Sequence, residues 1–364
     1  MDKRVLLSGY YGYGNAGDEA VCAAVLQTLR THGGDPAVTV LSGDPAATER
    51  AHGAHAVPRR KILDALPEMD ALFQGGGSLL QDATSAASTF YYLWVIMAAR
   101  IIRRPVFLYA QGIGPLTRKP VRAAVRAVLN SVQAITVRDR DSKRLLTEIG
   151  VTRPPVYLTA DPVWALDAAP PERAGLIWER QGLPSAGRTV AFALRAWPAA
   201  PDIAGVAARA AGMLAEQGLQ PAFLPMQRPD DETLVHSIRA AMTEPAPWLQ
   251  GAYAPGELLA LAGRADLLAG MRLHALIFAA SQGVPCLALA YDPKVSSLAA
   301  ELGLPSLDVN GMTGESLAAA VGDAWSQREA IAARSAREVE RLRDGAFSTA
   351  RLARDFLEKH DRRV

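Results

Sequence analysis

The feature that most limits this chain is a repeated local order: a short apolar run, a break rich in glycine or charge, then a helical pattern. Arg4–Ser8 is an apolar strand ending in glycines, and Asp18–His32 follows with Val21, Ala24, Val25 and Leu29 at helical spacing. That helix stops at Gly33-Gly34, a C-terminal signal. Ala37–Leu41 is a second strand. Ala71–Gln74 leads into Gly75-Gly76-Gly77-Ser78, and Val106–Ala110 into Gln111-Gly112-Ile113-Gly114-Pro115. Ala134–Val137 leads into Arg138-Asp139-Arg140-Asp141-Ser142, and Val156–Leu158 into Thr159-Ala160-Asp161-Pro162. Short buried runs separated by helices are the pattern of a parallel sheet.

The pattern restarts after turn-rich segments between 167 and 187, among them Leu183-Pro-Ser-Ala-Gly-Arg. Thr189–Leu194 and Pro221–Leu224 read as strands, Ile203–Gln217 and Asp231–Met242 as helices. Leu267–Ala269 leads into Gly270-Met271-Arg272-Leu273-His274, and Cys286–Ala290 into Tyr291-Asp292-Pro293-Lys294. A closing helical region runs from about 315 to 360. The fold class is therefore α/β, with two Rossmann-like αβα domains, residues 1–170 and 180–340, facing an interdomain cleft. Open parallel sheets bind ligands at the C-terminal ends of their strands. The unusual residues of both halves fall at those ends, which points to an enzyme.

Composition narrows the function. The 364 residues suit two domains. With 39 basic against 37 acidic residues, the net charge of +2 argues against nucleic acid as a partner. Cys22 and Cys286 alone build no disulfide framework, and their flanks lack metal-ligand spacing. The N-terminus has no signal-peptide core. The longest apolar stretch, Phe90 to Ala99, falls short of the roughly 20 residues of a membrane span. The chain is expected to be cytoplasmic. Only six of the 39 basic residues are lysine, so a lysine such as Lys294 carries more weight than an arginine.

Gly12-Tyr13-Gly14-Asn15-Ala16-Gly17 fits a dinucleotide fingerprint, with Asp44 as its distant acid. Three residues separate strand from motif, however, and Asp18 would compete with a pyrophosphate for the helix N-terminus. Asn15 and Asp18 read either as helix caps or as a polar ligand site. Gly75–Ser78 offers successive amides to an anion or sugar, or is a tight turn. The Arg138 segment reads either as a cation at a strand end facing the cleft, with Asp139 or Asp141 starting the next helix, or as one helix cap beside solvated arginines. Arg272 and His274 open a helix that is otherwise apolar, so both need partners there. A bound anion is one such partner, and histidine is suited to proton transfer near neutral pH.

Taken together, the motifs resemble the polysaccharide pyruvyl transferase family, in its bacterial cell-wall-polymer branch. The resemblance rests on Gly14-Asn15-Ala16-Gly17-Asp18-Glu19, the Gln74–Asp82 segment, Tyr109–Pro115, Val137-Arg138-Asp139 with Ser142, Asp161-Pro162, Met271–His274 and Tyr291–Val295. It implies a GT-B-like fold whose C-terminal helix, about 345–364, returns to the first domain. It also implies transfer of pyruvate from phosphoenolpyruvate to two hydroxyls of one sugar, giving a cyclic ketal and phosphate. The implied acceptor is a β-linked N-acetylmannosamine of a lipid-linked secondary cell-wall polymer, whose ketal anchors S-layer proteins.

On this resemblance, Arg138, Arg272, Leu273 and Lys294 bind phosphoenolpyruvate, a co-substrate, and His274 is the acid/base. Asn15, Gly76, Gly77, Ser78 and Asp161 bind the acceptor, and Asp18 positions or deprotonates its hydroxyl. No cofactor or metal is expected. The rivals are a sugar-nucleotide glycosyltransferase of the same fold, an NAD-dependent oxidoreductase and a non-catalytic wall-polymer-binding protein. Arg118, Arg122 and Arg126 share one helical face, with Arg100, Arg103 and Arg104 nearby in sequence. They read as a solvated surface or as a peripheral contact with the inner face of the cytoplasmic membrane.

Overall fold

The computed structural model describes residues 3–83, 85–184, 187–200 and 202–360. The chain divides into two compact units. The first comprises Met1–Gly14, Asp18–Leu166 and Leu342–Val364; the second comprises Asn15–Gly17 and Asp167–Arg341.

In the first half the elements are β1 (Arg4–Tyr11), α1 (Ala16–His32), β2 (Ala37–Ser42), α2 (Pro45–His52), β3 (His55–Pro58), α3 (Ile62–Ala65) and β4 (Ala71–Gln74). There follow β5 (Gly77–Leu80), α4 (Ala86–Ile101), β6 (Val106–Ile113), α5 (Lys119–Leu129), β7 (Ala134–Val137), α6 (Arg140–Glu148) and β8 (Val156–Leu158). Their parallel sheet has the order β3-β2-β1-β4-β6-β7-β8, with β5 paired to β6. The central strands β4, β6 and β7 are buried on both faces, which is why they read as unbroken apolar runs. One face packs Leu6, Leu72, Leu108 and Ile135 against Leu93 and Ile96 of α4 and Val121 and Val125 of α5. The other packs Phe73 and Phe107 against Phe356 of the C-terminal helix, at 6.0 and 5.2 Å between ring centroids. Full burial of each such side chain contributes roughly 1.5–3 kcal/mol.

The second half holds α7 (Pro171–Arg180), β9 (Thr189–Ala193), α8 (Ile203–Glu216), β10 (Gln220–Phe223), α9 (Asp230–Ala240), α10 (Pro255–Ala262), β11 (Leu267–Gly270) and α11 (Leu273–Ser281). β12 (Cys286–Ala290), α12 (Pro293–Leu302), β13 (Ser306–Asp308), α13 (Gly314–Ser326) and α14 (Arg328–Lys359) complete the chain. The parallel sheet of the second unit has the order β10-β9-β11-β12-β13.

The structure corrects several sequence expectations. β1 does not stop at Ser8 but runs to Tyr11 through an irregularity in its pairing with β2, so no three-residue gap precedes the glycine motif. β6 likewise continues to Ile113, and its neighbour Ser78, expected in a loop, lies on β5. β3, the short α2 and β13 lacked any long apolar run to reveal them. The helix expected at 345–364 is the end of the longer α14, and residues 361–364 lie outside the described residues, as do Ser185 and Ala186 of the turn-rich segment.

Candidate functional site

In each sheet the strand order reverses once, and ligands of doubly wound sheets bind at that point. In the first unit it lies between β1 and β4. At the same end of the sheet, two strands beyond β4, Arg138 follows β7 and is the centre of a polar cluster. It is 8% exposed. Its Nη1 donates to Asp161 Oδ2 at 2.6 Å and its Nη2 to Ser78 Oγ at 2.9 Å. Burial alone would lower the Arg138 pKa, but the charges of Asp161, Asp139 and, further off, Asp18 raise it. The guanidinium is therefore a permanent cation. Gly112 leaves it room: a Cβ there would sit 2.7 Å from Ser78 Oγ and 2.8 Å from Arg138 Nε. Gly76 packs on Pro162, the residue after Asp161. Asp18, Gly76, Gly77, Ser78, Arg138 and Asp161, named from sequence, thus share one end of this sheet.

The helix-cap readings are also realised here. Asp139 caps α6, accepting Ser142 N–H at 2.7 Å. Asp44 caps α2, accepting Ala47 N–H at 3.0 Å, so the acid of the dinucleotide reading is committed to a helix. Glu19 braces the glycine loop by accepting Gly12 N–H at 2.7 Å and bonding His52 Nε2 at 3.0 Å. The Gly75 amide donates to Ser8 O at 2.7 Å, so it is not offered to an anion.

Sequence reasoning missed an aromatic group at this end. Tyr10 and Tyr13 stack at 4.4 Å between centroids, 15° from parallel, and both are exposed. Arg59, 46 residues from Tyr13, donates to Tyr13 OH at 2.9 Å and Tyr91 OH at 3.0 Å. Its guanidinium lies 3.9 Å from the Tyr91 ring centroid. The Tyr10 phenol is held above its ordinary value by burial and by the nearby charge of Asp18, which ties the pair to the site. Exposed stacked rings beside a carboxylate suit the apolar face and hydroxyls of a sugar.

In the second unit the reversal lies between β9 and β11. Arg272, at the N-cap of α11, is bound fork to fork by Asp231 of α9. Nε donates to Oδ2 at 3.1 Å, Nη2 donates to Oδ1, and Nη1 donates to Gln227 Oε1 at 3.1 Å. Asp231 is 1% exposed and also accepts Met226 and Gln227 N–H at 3.0 and 2.9 Å. The fork expected to clamp a ligand anion is therefore spent on a protein carboxylate. Leu273 and His274 are the first two residues of α11, both half-buried.

Asn15–Gly17, expected in the first domain, groups with the second unit. Asn15 Oδ1 accepts Gly17 N–H at 2.9 Å, the capping alternative. Ala16 N–H donates to Met226 O at 2.9 Å, and a Cβ on Gly17 would collide with the His274 ring.

Lys294 is half-buried in the first turn of α12, capped by Asp292, which accepts Lys294 N–H at 2.8 Å. Arg195, beyond β9, was also missed; it donates to Tyr291 OH at 3.0 Å, and Tyr291 meets Trp197 at 4.8 Å. A cation just past a strand end is the signal that singled out Arg138, and it was available at Arg195. Arg195, Arg272, His274 and Lys294 follow β9, β11 and β12 at one end of one parallel sheet. Among the described residues, no group of three His, Cys, Asp or Glu could hold a metal ion.

AmsJ of Erwinia amylovora, an amylovoran biosynthesis protein, is 21% identical over 405 aligned positions, which cover 93% of this chain and 96% of AmsJ. The UDP complex of MnaA from S. aureus superposes with a TM-score of 0.68 at 12% identity, over 99% of this chain and 97% of its own. HepE of Anabaena with UDP-glucose gives 0.60 at 12% identity, over 98% of each chain. These structural likenesses show the fold, Rossmann-like αβα units of the GT-B type. The family profile described as polysaccharide pyruvyl transferase matches residues 15–293. With three-quarters of its length matched, the chain belongs to the polysaccharide pyruvyl transferase family.

Proposed function

We propose that the protein moves pyruvate from phosphoenolpyruvate onto two hydroxyls of one sugar of a cell-wall polymer precursor. The family match over residues 15–293 carries this reading, because it spans every assigned residue except Lys294, one position beyond it. The acceptor class we favour is a β-linked N-acetylmannosamine on a lipid carrier. Phosphoenolpyruvate is a co-substrate, and no cofactor enters the scheme.

The chemistry balances without one. A proton adds to C3 of the enol, leaving oxocarbenium character at C2. One sugar hydroxyl bonds to C2 as the C2–O bond to phosphate breaks, and the second hydroxyl closes the ketal. Of the two hydroxyl protons, one replaces that delivered to C3 and the other leaves with phosphate. His274 is the group we assign to proton transfer. Lys294 and Arg195 supply positive charge for the donor's carboxylate and phosphate. Arg272 acts in a form held by Asp231, with Leu273 fixing the turn that presents His274. Arg138 contributes a permanently charged guanidinium from the first unit. On that unit Asp18 takes a proton from the acceptor hydroxyl, while Gly76, Gly77, Ser78 and Asp161 line the acceptor's approach. Asn15 shapes the start of α1.

The experiment is incubation with phosphoenolpyruvate and a panel of β-N-acetylmannosamine and β-galactose acceptors, followed by phosphate assay and mass analysis. Phosphate release matched by pyruvate gain supports the reading. The structural likeness to HepE, solved with UDP-glucose, and MnaA, solved with UDP, favours one alternative, a glycosyltransferase, which would instead release a nucleotide from a sugar-nucleotide donor.

A further inference from the structure

We infer that α4 and α5 form a docking surface for an anionic lipid bilayer. Phe90, Trp94, Met97 and Ile101 recur at one helical face of α4 and are 45, 45, 38 and 74% exposed. A contiguous apolar patch of this kind on a protein surface marks an interaction site. With 16 residues and Arg100 in its last turn, α4 is not a spanning segment, and no helix of the described residues is long and apolar enough to cross a membrane. The other face of α4, with Leu93 and Ile96, packs on the sheet, so the exposed apolar face is the one it offers to the interfacial region of a bilayer.

Charge selects the occupant. The sequence has no Asp or Glu between Asp82 and Asp139, so α4 and α5 carry only basic charge. α5 packs beside α4 and brings Lys119, Arg122 and Arg126. A second copy of the chain, docked symmetrically through α4, would bring two such basic surfaces together. Anionic headgroups complement them, while the apolar side chains enter the acyl boundary.

The surface adjoins the first-unit site. Tyr91 of α4 lies under Arg59, which holds Tyr13, and its ring centroid is 6.1 Å from that of exposed Trp94. Resting on the proposed function, this contact would carry a lipid-linked acceptor from the bilayer to the Tyr10–Tyr13 pair.

The test is flotation of the full chain with vesicles of phosphatidylcholine alone or mixed with phosphatidylglycerol, without donor or acceptor. Binding should require the anionic lipid and weaken with added salt. Phe90→Ser/Trp94→Ser should lower bound protein at least tenfold, and Lys119→Ala/Arg122→Ala/Arg126→Ala should remove the preference for anionic lipid. Thermal melts identify variants that fail to fold, and the milder Trp94→Ala then replaces the double change. Turnover of a water-soluble acceptor should be unchanged in the serine variant, which separates loss of docking from failure of the pyruvyl-transfer reading. No flotation of wild type, flotation indifferent to these changes, or a dimer in light scattering that the serine variant converts to monomer would each overturn the inference.

Discussion

Arg272 and Asp231 meet as two matched forks, Nε to Oδ2 at 3.1 Å with Nη2 on Oδ1, and the carboxylate is 1% exposed. Paired planar groups of this kind fix orientation as well as charge. Arg272, two positions ahead of His274, is therefore held by a partner 41 positions away. Asp231→Ala would leave the guanidinium uncompensated, at a cost of about 3–5 kcal/mol. Asp231→Asn should fold better and raise KM for phosphoenolpyruvate about tenfold, and Arg272→Lys should do the same because an ammonium cannot match the fork. Steady-state kinetics with urea denaturation check both; an unchanged KM and kcat in Arg272→Lys would remove its role.

His274→Ala should cut phosphate release by roughly 10²–10⁴-fold, the usual contribution of a general acid/base, while phosphoenolpyruvate still binds. Single-turnover phosphate release and calorimetric titration separate the two. Wild-type turnover in the variant would take His274 out of the mechanism.

Gly112→Ala places a methyl group 2.7 Å from Ser78 Oγ and 2.8 Å from Arg138 Nε. Overpacking here should cost about 1–3 kcal/mol. By displacing the Arg138 side chain it should lower kcat/KM well beyond what that loss of stability explains. Activity measured at a temperature where the variant is fully folded tests this; near-normal activity would show that Arg138 position is unimportant.

Tyr13→Ala should raise KM for the sugar acceptor several-fold and leave KM for phosphoenolpyruvate unchanged, because Tyr13 stacks with exposed Tyr10 on the first unit. A shift in the phosphoenolpyruvate KM alone would reassign the aromatic pair to the donor.

Asp82 sets a pH dependence of stability. Burial would raise its carboxyl, but hydrogen bonds from Thr117 N–H, Arg118 N–H and Thr117 Oγ1, at 2.7, 2.7 and 3.0 Å, hold it below its ordinary value. A carboxyl depressed on folding stabilises above the unfolded value, about 3.9, and that contribution is lost as pH falls through the lower folded value. Asp82→Asn should cost about 1–3 kcal/mol near neutrality and flatten the acid limb of the stability curve. Urea midpoints across pH measure it.

The sheets were legible because buried parallel strands are written as apolar runs, and Ala71–Gln74, Ala134–Val137 and Cys286–Ala290 match element for element. Gly77–Leu80 was not, because glycines that read as a turn can also open a strand beside β6. The candidate residues stood out because chemistry-bearing side chains sit at strand ends. Their partners did not. Asp231 reaches Arg272, and Arg59 reaches Tyr13, only through the order of strands and helices, which no local spacing records. Asp82, Asp139 and Asp292 carry motif positions whose work is capping and bracing, and a sequence cannot separate those roles from chemistry.

The most direct measurement is mass analysis of a β-N-acetylmannosaminyl acceptor after incubation with phosphoenolpyruvate and the protein. The acceptor should gain, per sugar, the mass of one pyruvic acid less one water, because the C2 oxygen departs with phosphate, and one phosphate should be released for each. An unmodified acceptor with no phosphate, alongside nucleotide release from a sugar-nucleotide donor, would contradict it.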